Sequence, residues 1–427
     1  SLFDDTSANV FGENENQNVI KCGSYVGNGS STGPEINLGW EPQWVMIKLT
    51  SGSNSWYIWD SMRGIVTGGN DPYLQVNSSS SEDVNYNPIE ITSTGFKLIT
   101  GSGSWVNGNG SDYVYMAIRR PDGYVGKPAE VGTDVFALDT GAGSATIPNY
   151  DSTFPVDFGI EKYKDGSQNW FLSARLMAEY FMTTNTTAAE SGNSAYAFDS
   201  NVGWYAGSGA DSTYISYMWK RHAGFDVVAY TGDGVAGRQI PHSLSKTPEM
   251  IWVKCRSNGE DGAVFHKGAN GGTNPEQYYM NLNTDDAEND SNTRWDDSAP
   301  TSTHFTVGNA GAVNGGGGTY IAMLFASVAG ISKVGSYTGN GSSRTISDVG
   351  FQPRFIIFKR TDDTSYWIVL DTTRGWGSGN DQYLRLHTSN AEVAFDFGAP
   401  TSTGFTLPDG NSMYNANNAK YIYYAHA

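Results

Sequence analysis

Charge and cysteine are scarce in this sequence, and long apolar runs are missing. Charged residues fill 16% of 427 positions, with 26 Lys and Arg against 44 Asp and Glu, a formal net charge of −18. The acidic excess is spread along the chain, which excludes nucleic acid and anionic membrane as partners held by phosphate neutralisation. The two cysteines, Cys22 and Cys255, occupy non-equivalent places in different repeats. Neither spacing nor duplication points to a disulfide, and a reducing folding compartment is the simpler reading. No apolar stretch approaches the ~20 residues that span a bilayer, and no basic-plus-apolar leader stands at Ser1. Without an initiator Met, the polar segment from Ser1 to Gln17 reads as an arm or linker entering from something upstream.

Helical periodicity is nearly absent as well. Its best stretch, Leu172 to Met182, falls where other parts of the chain place a strand and a loop. What the sequence does have is Gly (52), Tyr (25), Phe (19) and Trp (12) among dense Asn, Ser and Thr. Aromatics pack on pleated faces, while Gly and Asn accept the positive φ of tight turns, so the composition predicts β-structure.

The chain repeats itself. Tyr337-Thr338-Gly339-Asn340-Gly341-Ser342-Ser343 echoes Tyr25-Val26-Gly27-Asn28-Gly29-Ser30-Ser31, and later pieces follow in the same order. These include Trp56-Tyr57-Ile58-Trp59-Asp60 and Trp367-Ile368-Val369-Leu370-Asp371, Thr92-Ser93-Thr94-Gly95-Phe96 and Thr401-Ser402-Thr403-Gly404-Phe405, and the closing Tyr113-Val114-Tyr115 and Tyr421-Ile422-Tyr423. A third copy opens at Tyr230 and a diverged one at Asp139. The spacing of about one hundred residues is a domain's worth of strands. The expected units are residues 18–121, 133–224, 225–330 and 333–427 after the arm at 1–17. Each is expected to be an antiparallel β-sandwich, jelly-roll or concanavalin-like, of six to eight short strands, as four small domains or two pairs.

The Gly-Asn-Gly openings read as the first hairpin of each sandwich rather than as phosphate loops, since no Lys follows at the required spacing and no helix follows the loop. Asp60 with Arg63, and Asp371 with Arg374, read as staples across a turn, with only Arg175 kept in the second copy. The six histidines hold unrelated repeat positions and no nucleophile elbow is present, so no catalytic residue is assigned. The Asp pairs 285/286, 296/297 and 362/363 point to opposite faces on a strand or to solvent in a loop. No cofactor is expected, although loop carboxylates could hold a structural Ca²⁺ in a non-standard site. Sugar recognition needs an aromatic face and forked hydrogen-bonding groups. Trp376, taken as exposed, with Asn380 and Asp381 and the first-copy counterparts Asn70 and Asp71, is the candidate set.

The series from the Tyr-Thr-Gly-Asn-Gly-Ser-Ser opening through Asp-x-x-Arg-Gly and Thr-Ser-Thr-Gly-Phe to Tyr-Ile-Tyr resembles an uncharacterised tandem-repeat domain of tailed-phage virion proteins. It is found in marine and cyanobacterial phages, in proteins described as tail fibres or structural proteins. The resemblance implies a component on the virion exterior, made in the cytoplasm of a bacterial host. It implies an adhesin recognising host-surface glycan or, alternatively, a capsid decoration or head-fibre protein; a polysaccharide depolymerase is the third reading. Its partners would be other virion subunits and host-surface polysaccharide, and it would be a homo-oligomer, with a trimer favoured. The family supplies no catalytic or binding residues to carry over.

Overall fold

The computed structural model describes residues 19–65, 70–101, 105–120, 129–143, 147–177, 179–207 and 209–427. The expected arm at 1–17 lies outside them. The described chain is nearly all β, and its strands pair antiparallel throughout. In the first unit a five-stranded sheet runs in the order Ile20–Val26, Asp112–Arg119, Pro42–Leu49, Trp56–Asp60, Leu74–Gln75. It faces a three-stranded sheet of Glu35–Asn37, Gly95–Leu98 and Ile89–Thr92. Strand alternation makes this possible: Val45, Ile47 and Leu49 point to the core between the sheets, while Trp44, Met46 and Lys48 point away.

The fourth unit repeats the topology. Its large sheet holds Ser332–Thr338, Lys420–His426, Phe355–Arg360, Ile368–Asp371, Asp381–Arg385 and Val393–Phe395, and its small sheet Arg344–Ile346, Gly404–Leu407 and Pro400–Thr401. The second and third units also have six-stranded large sheets, facing a three-stranded and a two-stranded sheet. Each unit thus has its own pair of sheets and its own core between them.

Units two to four share one further core, formed by the outer faces of their large sheets. Phe158 meets Phe225 at 5.9 Å, Phe325 meets Tyr424 at 4.9 Å and Phe136 meets Phe355 at 5.0 Å between ring centroids, so each unit touches the other two. The three sheets close a ring. Their strands are buried on both faces, which is why Phe355, Ile356, Ile357 and Phe358 run on without a polar break.

One local expectation holds and another is corrected. Leu172 to Met182 is not a helix: strand Phe171–Ala174 leads through the 3₁₀ turn Arg175–Met177 towards strand Tyr180–Thr183, because the sheet register claims these residues. The Gly-Asn-Gly opening is not a hairpin either. Ile20–Val26 pairs with Asp112–Arg119, and the next strand, Glu35–Asn37, lies in the other sheet, so the motif is a corner between sheets. Its glycines have separate tasks. Gly341 has φ 70°, and a Cβ on Gly339 would lie 2.0 Å from the Ala416 carbonyl oxygen.

A buried asparagine ties each such corner in three of the units. Asn415 Nδ2 donates to the carbonyls of Ser342 (2.6 Å) and Asp409 (2.8 Å). Asn107 serves Ser30, Gly33 and Thr100, and Asn314 serves Val235 and Gly308. The sequence signal is an apolar-Asn-small triplet just before the closing Tyr strand.

Candidate functional site

The Asp-x-x-Arg-Gly turn ends the Trp-containing strand. Asp60 Oδ1 accepts the Arg63 N–H at 2.9 Å and its Oδ2 accepts Arg63 Nε at 2.7 Å, pinning the turn. Arg374 does the same to Asp371 at 2.8 and 2.6 Å. Both arginines then reach a later carboxylate, Glu82 at 3.2 Å and Glu392 at 3.4 Å. They differ in setting: the side chains of Arg374 and Asp371 are 2% and 0% exposed, those of Arg63 and Asp60 22% each.

The first-unit turn forms one wall of a groove of about 570 Å³ between units one and two. Ser61, Met62 and Arg63 face Arg175, Glu179 and Tyr180 across it, and Asn70, Glu82, Asn87 and Asp199 line it as well. Arg175 does not stand in for Arg374. Its guanidinium donates to the Phe198 carbonyl at 2.7 Å and the Val156 carbonyl at 2.6 Å, within 3.6 Å of the Met62 sulfur. Burial lowers its pKa, with Asp157 acting against that. Burial raises the Asp199 carboxyl, opposed by the Arg175 charge. Asn87 Oδ1 is buried without a hydrogen-bond partner among the described residues. The groove therefore offers amides and carboxylates beside the Tyr180 ring, a donor and acceptor set suited to hydroxyl-rich ligands.

The sequence-predicted set is not brought together. Trp376 is only 4% exposed, packs against Phe405 at 6.3 Å and donates Nε1–H to the Gly398 carbonyl at 3.1 Å, so no ring face is left for stacking. The Gly-rich context suggested an open loop; the core of the fourth unit takes the indole instead. Asp381 is buried and accepts the N–H groups of Gly377 and Phe397 at 2.8 and 2.9 Å. Asp71 is likewise buried, accepting from Ile89 at 3.3 Å. These carboxylates fasten loops. Asn380 and Asn70 are exposed, and Asn70 alone of the five lines the groove.

Sequence reasoning missed a buried charge cluster joining units one, two and three. Arg120 meets Asp226 at 2.6 Å and Glu41 at 3.2 Å, and Arg221 meets Glu41 at 2.6 Å. All four side chains are at most 7% exposed. The four charges cancel, and the two arginines hold Asp226 well ionised against its burial. Their positions fall outside the repeated motifs, so the repeats carry no signal for them. Among the described residues, no three His, Cys, Asp or Glu side chains come together as a metal site.

Tandem antiparallel sandwiches, three of them closed around a common core, define a repeat-built all-β protein. The chain belongs to a family known as a domain of unknown function, DUF7483, matched over residues 5–120 and 212–427. The gap between the two matched stretches falls on most of the diverged second unit. No curated protein matches the chain.

Proposed function

We propose that this chain is an exterior virion protein of a tailed phage, a fibre-type adhesin that binds host-surface glycan without cleaving it. The supporting observation is the groove between units one and two, where Asn70, Asn87, Glu82, Glu179 and Asp199 stand beside Tyr180. Carboxylates and amides can fork pairs of sugar hydroxyls, and a neutral glycan escapes the repulsion that the net charge of −18 imposes on anionic polymers. Weak single sites suffice on a particle that carries many of them.

Binding of the purified chain to arrayed bacterial surface glycans and to whole host cells tests this reading. Binding reduced by Asn70→Ala and Asn87→Ala supports it. No binding across a broad host panel, or polymer cleavage, overturns it.

A capsid decoration or head-fibre role is favoured by one separate observation, the apolar outer face of the first unit, where Trp44, Met46, Ile58, Val114 and Met116 are half-buried or exposed, which suits contact with another subunit. Antibody labelling of virions separates the two readings, with gold on the tail for the adhesin and on the head for the alternative.

A further inference from the structure

The ring of units two to four is held head to tail by lysines at one register position. Lys162 Nζ donates to Gln168 O in its own unit (2.6 Å) and to Ser389 O of the fourth (3.0 Å). Lys359 donates to Ser365 O in its own unit (2.6 Å) and to Asp285 O of the third (3.0 Å). Lys254 closes the cycle on Thr186 O of the second unit at 2.9 Å. Two tryptophans follow the same direction: Trp170 Nε1 donates to Arg385 O at 2.9 Å, and Trp367 Nε1 to Asn281 O at 3.0 Å.

The first unit carries the same parts, and among the described residues no neighbour receives them. Lys48 sits opposite Val114 as Lys359 sits opposite Ile422. Its Nζ donates to Asn54 O, six residues on, as in Lys162 and Lys359, but its second bond turns back to its own Leu49 O; both are 2.9 Å. Trp56 N–H is capped by Asn77 Oδ1 at 2.9 Å, as Trp170 is by Asn185 at 3.0 Å. Yet Trp56 is 38% exposed where Trp170 and Trp367 are buried. Around it the outer face presents Trp44, Met46, Ile58, Val114 and Met116, all half-buried or exposed, where a sheet facing water would alternate to polar residues. The first unit meets the rest of the chain elsewhere, through its small sheet near Tyr230–Pro241, the Met62 turn and the Glu41–Arg120 cluster.

We propose that three copies of this chain associate through the outer faces of their first units, repeating between chains the ring that units two to four make within one. Lys48 of each chain donates to the Ser79 carbonyl of the partner subunit, and Trp56 Nε1 to the Gln75 carbonyl of the partner subunit. These positions correspond to Ser389 and Arg385, because the Val76 N–H reaches Trp56 O as the Leu386 N–H reaches Trp367 O. A head-to-tail contact closes only at the rotation its geometry sets, and here that geometry already closes at three. Burial of the aromatic and aliphatic side chains supplies the driving force. The inference is independent of the adhesin reading.

Sedimentation equilibrium of the full chain at micromolar concentration tests it. The expected result is a trimer that Val114→Arg converts to monomer with unchanged circular dichroism, while Val114→Ile stays trimeric. Since Val114 is 37% exposed, the arginine is compatible with a folded unit. A monomeric or dimeric parent protein overturns the proposal, as does a trimer that both Val114→Arg and Trp56→Ala leave intact.

Discussion

The Tyr217 hydroxyl lies 2.9 Å from Oδ2 of Asp371, 154 residues further along the chain, and donates to it from the second unit into the fourth. The same oxygen accepts Arg374 Nε, so a turn staple within one unit is also a rivet between two. Tyr217 is buried, and its pKa lies well above the ordinary tyrosine value, chiefly through desolvation, so the proton stays on the tyrosine.

Removing the arginine should therefore cost very different amounts in the two copies. Arg374→Ala leaves Asp371 charged and buried, at about 3–5 kcal/mol. Arg63→Ala, at a partly hydrated pair, should cost about 1 kcal/mol or less. Denaturant titration of the two variants gives the comparison, and equal losses would contradict it.

Units two to four should unfold as one. Their common core leaves no single unit with a complete set of contacts, whereas the first unit keeps its hydrophobic core to itself. Leu384→Ala in the fourth unit, costing about 2–5 kcal/mol, should lower the unfolding temperature of the second and third units too. Calorimetry resolving separate transitions for those three units would refute it.

Acid should loosen the fold well above the carboxylate range. Burial lowers His222 and His266 to about 3 and His387 to about 4, and holds His426 well below its ordinary value. These rings are neutral when folded, so below pH 6.5 the unfolded chain takes up protons that the folded chain refuses. Stability is lost as pH falls, by about 1.4 kcal/mol per pH unit for each group in excess. Glu161 opposes this. Burial raises it to about 7, so its penalty is absent below pH 4.5, grows as pH rises and is complete above pH 7. Burial also raises Glu90, Asp139, Asp199, Glu288 and Asp381, by less than Glu161, so in the upper part of this window the four histidines dominate. The urea midpoint should fall between pH 6.5 and 4.5, and Glu161→Gln should steepen that fall.

The corner asparagines should be more costly to lose than their polarity suggests. Asn415→Ala strands the carbonyls of Ser342 and Asp409 in a buried site, for a loss of about 2–4 kcal/mol. Asn415→Asp, which replaces the donating amide by a carboxylate, should be at least as damaging. A thermal melt within experimental error of the parent for either variant would disprove the role.

Much of the fold was legible because each unit's strands and turns recur in order, and the period-two pattern of Val45, Ile47 and Leu49 marks a core face directly. The ring was harder to read. Its signal is the unbroken apolar run from Phe355 to Phe358, which says that both faces are buried without naming the second partner. The site is the least legible part. Trp376, Asp71 and Asp381 are ligand-type residues near Gly-rich sequence, and type alone does not separate a loop that fastens itself from one that offers groups to a ligand. Asn70 reached the groove through contacts that no local pattern encodes.

The lysine ring has a consequence for dilution. Because Lys162, Lys254 and Lys359 belong to one chain, the three-way contact forms at a local concentration fixed by the linkers between units rather than by how much protein is present. The chain diluted to vanishing concentration keeps that contact, while anything joined only between chains must answer to mass action.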